Sequence, residues 1–484
     1  DADSKEPLTG VEFKIEALNG FDKGTTWNLT TNEEGKIKQT FNYGKYQATE
    51  IKTLEGYVLN SEPIFFEVKE NGQKIELEME NKRIKGDIEL LKIDKDTQKP
   101  LKDVEFKIES LNSFDKGKTR TFTTNEEGKI SLKDFNYGKY QATEIKTKEE
   151  YILNNTSIPF EISEDGELIE LTATNKVKEG EVDFSKIDVS TGKAIDGANI
   201  IITGLDYNND HIKLEFVSSK ENNRFKLPVG KYEFKETIAP EGFVLNEEVG
   251  IFEVKENEVV KVELKNERIT GTLEFSKTDV TTGKAIDGAE IKIECVEGFQ
   301  KGEIIEFTSS KEGNKFELQY GKYKFYETMA PEGYEKTTEV GELEIKENGE
   351  IVKAELKNER ITGTLEFSKI DVSTGKAIDG AHIKIECIEG FNKGAVIEFV
   401  SSKDGNKFEL QYGKYKFYET AAPEGYEKTA EVGEFEIKEN GEIVKAELKN
   451  ERITGILEFS KIDVSTGKAI DGAHIKIECI EGFN

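Results

Sequence analysis

The feature that most constrains this chain is an internal repeat of about 92 residues in a sequence of 484. The run from Thr270 through Leu273, Phe275, Lys277 and Asp279 to Gly283 returns at Thr362 to Gly375 and at Thr454 to Gly467. Lys277, Lys369 and Lys461 are each 92 residues apart, while Lys186 lies 91 residues before Lys277 and Lys92 a further 94 before that. A period this long does not suit a solenoid unit; it suits an independently folding domain, so the repeat reads as beads on a string. Aligning Asp1 with Asp94 makes the N-terminal stretch a copy without its opening strand. The last copy stops 23 residues after Lys461, too soon to bury a core. The expected modules are 1–86, 87–179, 180–270, 271–362 and 363–454, with 455–484 the start of a sixth. A chain that begins and ends inside repeats reads as a fragment, with targeting signals expected elsewhere.

Within a module the pattern is β throughout. Tyr323, Phe325 and Glu327 alternate with Lys322, Lys324 and Tyr326; Val352, Ala354 and Leu356 alternate with Lys353, Glu355 and Lys357. Period two with one apolar face predicts half-buried antiparallel strands. Asn348-Gly349, with Asn71-Gly72, Asp165-Gly166 and Asn440-Gly441 in other copies, predicts a two-residue hairpin. No stretch has helical spacing and caps. About seven short strands per module predict an all-β fold, a tandem array of small Ig-like β-sandwiches. Ten residues separate Asn81 from Lys92, Asn175 from Lys186, Asn266 from Lys277, Asn358 from Lys369 and Asn450 from Lys461. None of these joints has a floppy linker's Gly/Ser- or Pro-rich composition, which predicts a fixed orientation between modules. At roughly 30 Å per compact module, a rod on the order of 150 Å is expected.

Charge narrows the partners. The 97 Asp and Glu outweigh 68 Lys and Arg, for a net charge of −29. Such a chain repels phosphate backbones and anionic membranes, which excludes nucleic acid as an electrostatic partner. No apolar run approaches the roughly 18 residues of a membrane span.

Strand parity brings out the chemistry. Leu273 and Phe275 point inward and the next residue on that face is Lys277; Tyr323 and Phe325 lead to Glu327; Val352, Ala354 and Leu356 lead to Asn358. The trio recurs as Lys92, Glu144 and Asn175, as Lys186, Glu236 and Asn266, and as Lys369, Glu419 and Asn450. The first copy keeps Glu50 and Asn81 without the Lys, and the terminal stub keeps Lys461 alone. A buried unpaired charge is costly, so the three groups must meet. One reading is a buried Lys–Glu ion pair completed by Asn. The other is covalent: burial disfavours the charged forms of amine and carboxyl. The Lys amine then attacks the Asn carbonyl while Glu polarises it and moves protons, and ammonia leaves. Parity alone leaves both open.

Around the Glu the sequence reads Tyr326-Glu327-Thr328-Met329-Ala330-Pro331-Glu332-Gly333-Tyr334, repeated as Lys235-Glu236-Thr237-Ile238-Ala239-Pro240-Glu241-Gly242-Phe243 and Glu419-Thr420-Ala421-Ala422-Pro423-Glu424-Gly425-Tyr426. With Phe-Ser-Lys-x-Asp on the opening strand and the closing Asn, each copy resembles the Cna B-type, SpaA-like module (prealbumin fold) of Gram-positive surface proteins and pilins. The resemblance covers essentially the whole chain. It implies a spontaneous isopeptide bond in each complete module, Lys92–Asn175, Lys186–Asn266, Lys277–Asn358 and Lys369–Asn450, promoted by Glu144, Glu236, Glu327 and Glu419. The expected protein is the stalk of an extracellular, cell-wall-anchored adhesin or pilus-like protein, meeting a host matrix or surface protein through other parts. No cofactor is implied, and a trio that works once on itself is not an enzyme. Modules one and two depart from the signature, with Ile51-Lys52-Thr53 and Ile145-Lys146-Thr147 after the Glu and no Ala-Pro.

The bond would close a loop of about 80 residues, removing about 4.5 kcal/mol of unfolded-chain freedom on the loop-entropy model. If the chain enters by the first strand and leaves by the last, tension crosses the bond and bypasses most of the module. Other signals are weaker. Cys295, Cys387 and Cys479 share one position in phase with core Ile residues, as inert buried thiols do. Three histidines, His211, His382 and His474, cannot supply a repeated triad or zinc site. Asp94-Lys95-Asp96 and Asp1-Ala2-Asp3 read as Asp-rich turns rather than calcium loops. The alternative function is direct binding of a host protein by the modules, through exposed loops such as Glu297 to Gly302 and Glu389 to Gly394, each with an aromatic.

Overall fold

The computed structural model describes residues 1–221 and 223–482. The chain divides into two compact units, Asp1–Asp188 with Gly192–Ala239 and Leu245–Lys265, and Val189–Thr191 with Pro240–Val244 and Asn266–Asn484. The first holds modules one and two and most of three; the second holds modules four and five. No helix among the described residues is long and apolar enough to cross a membrane.

A complete module has seven strands. In the fourth they run Thr270–Asp279, Glu290–Gly298, Ile304–Thr308, Asn314–Gln319, Gly321–Met329, Val340–Ile345 and Ile351–Asn358. They form a three-stranded sheet, ordered fourth–first–seventh, and a four-stranded sheet, ordered third–second–fifth–sixth. Modules two, three and five repeat both orders. Alternation drives the assembly: Gly271, Leu273, Phe275, Lys277 and Asp279 are buried along the first strand while the residues between them are half-buried. The two inner faces close on one cluster that includes Leu273, Phe275, Ile291, Ile293, Tyr323, Phe325, Ile345 and Leu356. Each such side chain contributes about 1.5–3 kcal/mol by leaving water.

Two expectations are corrected. The first and seventh strands are parallel, with Leu273 opposite Val352 and Asp279 opposite Asn358. The rest of the module connects them, so no hairpin forces them antiparallel. The Asn348-Gly349 turn joins the sixth strand to the seventh, which lie in different sheets, so it is a corner of the sandwich and not a hairpin. Turn residues encode a reversal of the chain; which strand then pairs is decided by the facing core. The corner is fastened to the first strand, since Gly349 N–H donates to the Thr270 carbonyl at 2.7 Å.

The first module shows what the opening strand organises. Residues 1–83 form only Glu12–Ala17, Thr26–Thr30, Gly44–Lys52 and Ile64–Val68, a single four-stranded sheet. In the other modules the three-stranded sheet is built around the first strand, which residues 1–83 do not include. At the other end residues 455–482 form no strand, and Ile456 is 95% exposed. Lys461 is exposed there, and so is Cys479, unlike the buried Cys295 and Cys387.

The junctions are held on both sides. Between modules four and five, Ile361 donates its N–H to the Gly333 carbonyl at 2.9 Å and accepts from Tyr412 N–H at 2.8 Å. Ile84 makes the same pair of bonds, to Gly56 at 2.9 Å and from Tyr137 at 2.8 Å, and Lys178 does so between Glu150 and Val229, at 2.9 Å each.

Candidate functional site

Parity places all four lysines inside. Lys92, Lys186, Lys277 and Lys369 have no exposed surface, and Glu50, Glu144, Glu236, Glu327, Glu419, Asn81, Asn175, Asn266, Asn358 and Asn450 are buried with them. In the fourth module Lys277 comes from the three-stranded sheet and Glu327 from the fifth strand of the facing sheet, so the amine reaches across the sandwich to the carboxylate at 3.5 Å. Asn358, at the end of the last strand, donates its amide nitrogen to both Glu327 oxygens at 3.0 Å and to the Glu335 carbonyl at 2.8 Å. The backbone N–H of Thr337 donates to Glu327 Oε2 at 2.8 Å. The fifth module repeats this: Lys369 to Glu419 at 3.3 Å, the Asn450 amide to Glu419 at 3.0 and 3.2 Å and to the Glu427 carbonyl at 2.9 Å, and Thr429 N–H to Glu419 at 2.8 Å.

In both modules two buried polar atoms have no hydrogen-bond partner among the described residues. They are the lysine amine, Lys277 Nζ or Lys369 Nζ, and the amide oxygen, Asn358 Oδ1 or Asn450 Oδ1. A buried polar group left without a hydrogen bond costs about 1–3 kcal/mol. Burial also holds each of Lys92, Lys186, Lys277 and Lys369 below the ordinary lysine range, with the neighbouring Glu pulling the other way. A larger share of such an amine is neutral, and therefore nucleophilic, at neutral pH.

The second module brings the same three groups together differently. Lys92 lies 2.9 Å from Glu144, but its amine also donates to Asn175 Oδ1. The Asn175 amide nitrogen is shared between Glu144 and Thr147 Oγ1, each at 2.7 Å. In the third module Lys186 is 3.1 Å from Glu236, which takes the Asn246 N–H at 2.7 Å. Asn266 ends the last strand and donates to the Val244 carbonyl at 2.7 Å. In the first module Asn81 donates to both Glu50 oxygens, at 2.8 and 2.9 Å.

Sequence reasoning missed a second buried constellation beside the trio. Asp279, two residues past Lys277 on the same face, is 2% exposed and takes Arg360 Nε and the Tyr334 hydroxyl, each at 2.8 Å. These bonds outweigh its burial and hold the carboxyl below the usual range. Its other oxygen caps the turn through Thr281 and Thr282 N–H, as Asp94 does through Asp96 and Thr97 N–H in the turn read as Asp-rich. Asp1 with Arg83 and Tyr57, and Asp371 with Arg452 and Tyr426, repeat the arrangement. The signal was available: the Asp continues the inward parity, and an Arg stands two residues after the Asn.

The loop aromatics are also corrected. Phe391 is half-buried, not exposed: its ring centroid lies 5.0 Å from that of Tyr334, and Arg360 stacks 4.4 Å above it. Phe299 is likewise half-buried.

Two-sheet sandwiches in tandem, each closing a Lys–Glu–Asn cluster between its sheets, define a repeat protein of prealbumin-like modules. The SpaA prealbumin-like fold domain matches residues 1–83, 86–177, 180–268, 271–360 and 363–452, and the chain belongs to that family. Among solved structures it is similar to the Bacillus anthracis TIE protein, at 30% identity and a TM-score of 0.52 over 72% of this chain and 69% of that one. It also matches BcpA, the major pilin subunit of Bacillus cereus, at 18% identity and a TM-score of 0.34 over 57% of this chain and all of that one. A streptococcal ancillary pilin matches at 17% identity and a TM-score of 0.26, over 57% of this chain and 99% of that one. No curated protein matches the chain.

Proposed function

We propose that the chain is stalk material of an extracellular, wall-anchored adhesin or pilus-like protein, its complete modules locked by Lys92–Asn175, Lys186–Asn266, Lys277–Asn358 and Lys369–Asn450 isopeptide bonds. The observation that carries this reading is which atoms lack partners. In modules four and five they are the amine that would attack and the carbonyl oxygen of the group attacked. The glutamate meanwhile holds the nitrogen that would leave, Asn358 Nδ2 or Asn450 Nδ2. A neutral amine adds to the amide carbon, Glu327 or Glu419 carries one proton from Nζ to Nδ2, the Cγ–Nδ2 bond breaks and ammonia departs. Glu144 and Glu236 take the same role in their modules. The family and the pilin subunits among the similar structures support a surface location and a structural role rather than turnover.

Parallel end strands make the mechanics specific. Tension entering at Thr270 and leaving at Asn358 shears two adjacent strands, and the bond would carry it from Lys277 straight across, sparing the other five. The reading in which modules bind a host protein directly loses its aromatics, since Phe391 is occupied by the preceding module. Intact mass of the denatured, reduced chain tests the proposal. The expected deficit is four ammonias, restored one at a time by Glu→Ala at 144, 236, 327 and 419. A full, unreduced mass would leave every trio an ion pair and sink the covalent stalk.

A further inference from the structure

The cross-links leave one part of the chain unspanned, the ten residues between the Asn of one module and the Lys of the next. The Asp–Arg–Tyr cluster and the loop aromatic converge there. At the junction of modules four and five, Arg360 is gripped by Asp279 through Nε at 2.8 Å and turns the face of its guanidinium to the Phe391 ring, 4.4 Å away. The ring meets Tyr334 edge-on, at 71° between planes, and lies over Gly333. Gly333 has φ +85°, and a Cβ there would stand 2.8 Å from Phe391 Cζ, so only glycine leaves room. Tyr412 of the fifth module bonds Glu332 of the fourth beside it. The junction of modules one and two is built alike. Arg83 bonds Asp1 at 2.8 Å and stacks 4.4 Å from Phe114, whose centroid is 5.3 Å from that of Tyr57; a Cβ on Gly56 would come within 2.9 Å of that ring.

The junction of modules two and three has the backbone bonds but not this seat. Glu150 stands in place of the glycine and Val177 in place of the arginine. The aromatic there, Tyr207, is 53% exposed; it takes Lys99 over its ring at 4.5 Å and donates to the Pro100 carbonyl at 3.3 Å. A side chain at 150 would occupy the place the phenyl ring fills elsewhere. The seat is therefore a feature of particular pairs of modules, separable from the connection between them.

We propose that the Gly–Tyr–Arg platform at the end of a module is a docking site whose partner is the loop phenylalanine of the following module. This contact keeps the uncross-linked junction closed, shielding the Arg360–Ile361 and Arg83–Ile84 peptide bonds. The buried Asp is the positioning residue: anchoring Nε, it leaves the guanidinium one orientation, flat against the ring, where cation and π-face attract. The proposal stands apart from the isopeptide reading, because it concerns residues outside every trio.

Limited trypsin digestion of the native full chain tests it, following the new N-termini at Ile361 and Ile84 by mass. Phe391→Ala should release the Ile361 terminus about tenfold faster, leaving Ile84 at its original rate, since the junction opens locally more often. Phe114→Ala should do the reverse. Phe21→Ala removes the equivalent loop residue of module one, which is 83% exposed, and should change neither rate. Arg360→Lys keeps the cleavage site and the charge but not the flat face, and should also hasten release at 361 without altering module five. Release at the wild-type rate in Phe391→Ala and Arg360→Lys would overturn the proposal, as would equal acceleration at both junctions. The ammonia deficit is unaffected by any of these variants, so this test and the cross-link test fail separately.

Discussion

Modules two and four carry the same lysine, glutamate and asparagine on the same strands, yet present the amide differently. In module four Asn358 offers its nitrogen to Glu327 and the Glu335 carbonyl, and both Lys277 Nζ and Asn358 Oδ1 stand without hydrogen bonds among the described residues. In module two Thr147 occupies the place of Ala330; its hydroxyl draws the Asn175 nitrogen to itself, and Lys92 donates to the oxygen. An amine spending a proton on the amide oxygen must turn away from it to reach the amide carbon, so the proposed bond should form more slowly in module two than in module four. Nearby, Val177 replaces the arginine, and Asp94 Oδ2 and the Tyr151 hydroxyl are buried without a hydrogen-bond partner among the described residues. Strand parity thus delivers the three groups to the gap between the sheets, and loop residues outside that parity decide how they face one another.

The largest effect expected from this contrast is on stability. Asn358→Ala removes the cross-link but keeps the Lys277–Glu327 pair, and should lower the unfolding free energy of module four by about 4.5 kcal/mol, read by denaturant titration. Asn175→Ala, compared with the matured wild-type chain, should cost module two as much. A loss there of only about 1–3 kcal/mol would mean hydrogen bonds alone hold it, making the difference between the modules all-or-none. A smaller effect should follow from Val177→Arg, which gives Asp94 the partner that Asp279 has. A charged hydrogen bond supplied to a buried carboxylate is worth about 1.5–3 kcal/mol, so module two should melt later; no gain would show that its Asp needs no cation. Smallest is Thr147→Ala, which removes one hydrogen bond of about 1 kcal/mol and frees the Asn175 nitrogen for Glu144. Ammonia loss from module two on first folding of newly made chain, followed by mass, should quicken several-fold, and an unchanged rate would break the link between loop and amide geometry.

Much of this was legible in advance, for local reasons. The trio could be read because burial in a strand depends on parity, and parity survives in the sequence: Lys277 follows Leu273 and Phe275 inward whatever the partner strand is. Asp279 and Arg360 obey the same logic and were legible too, but acidic turns and surface arginines are common enough that neither drew notice. What could not be read were relations between remote segments. The parallel pairing of the first and last strands, the corner made by Asn348-Gly349 and the seat of Phe391 each depend on which surface a segment meets after the chain has closed.

The sequence by itself determined the β-sandwich class, the repeat, and the three side chains on each module's inward face, because alternation and periodicity are written residue by residue. Tertiary structure alone decided the orientation of the amides, the partners of the buried aspartates and the cover of the loop aromatics. Those depend on directions and distances of a few ångströms between remote groups, such as Asp279 with Tyr334 and Arg360, 55 and 81 residues away, and no local pattern carries that information.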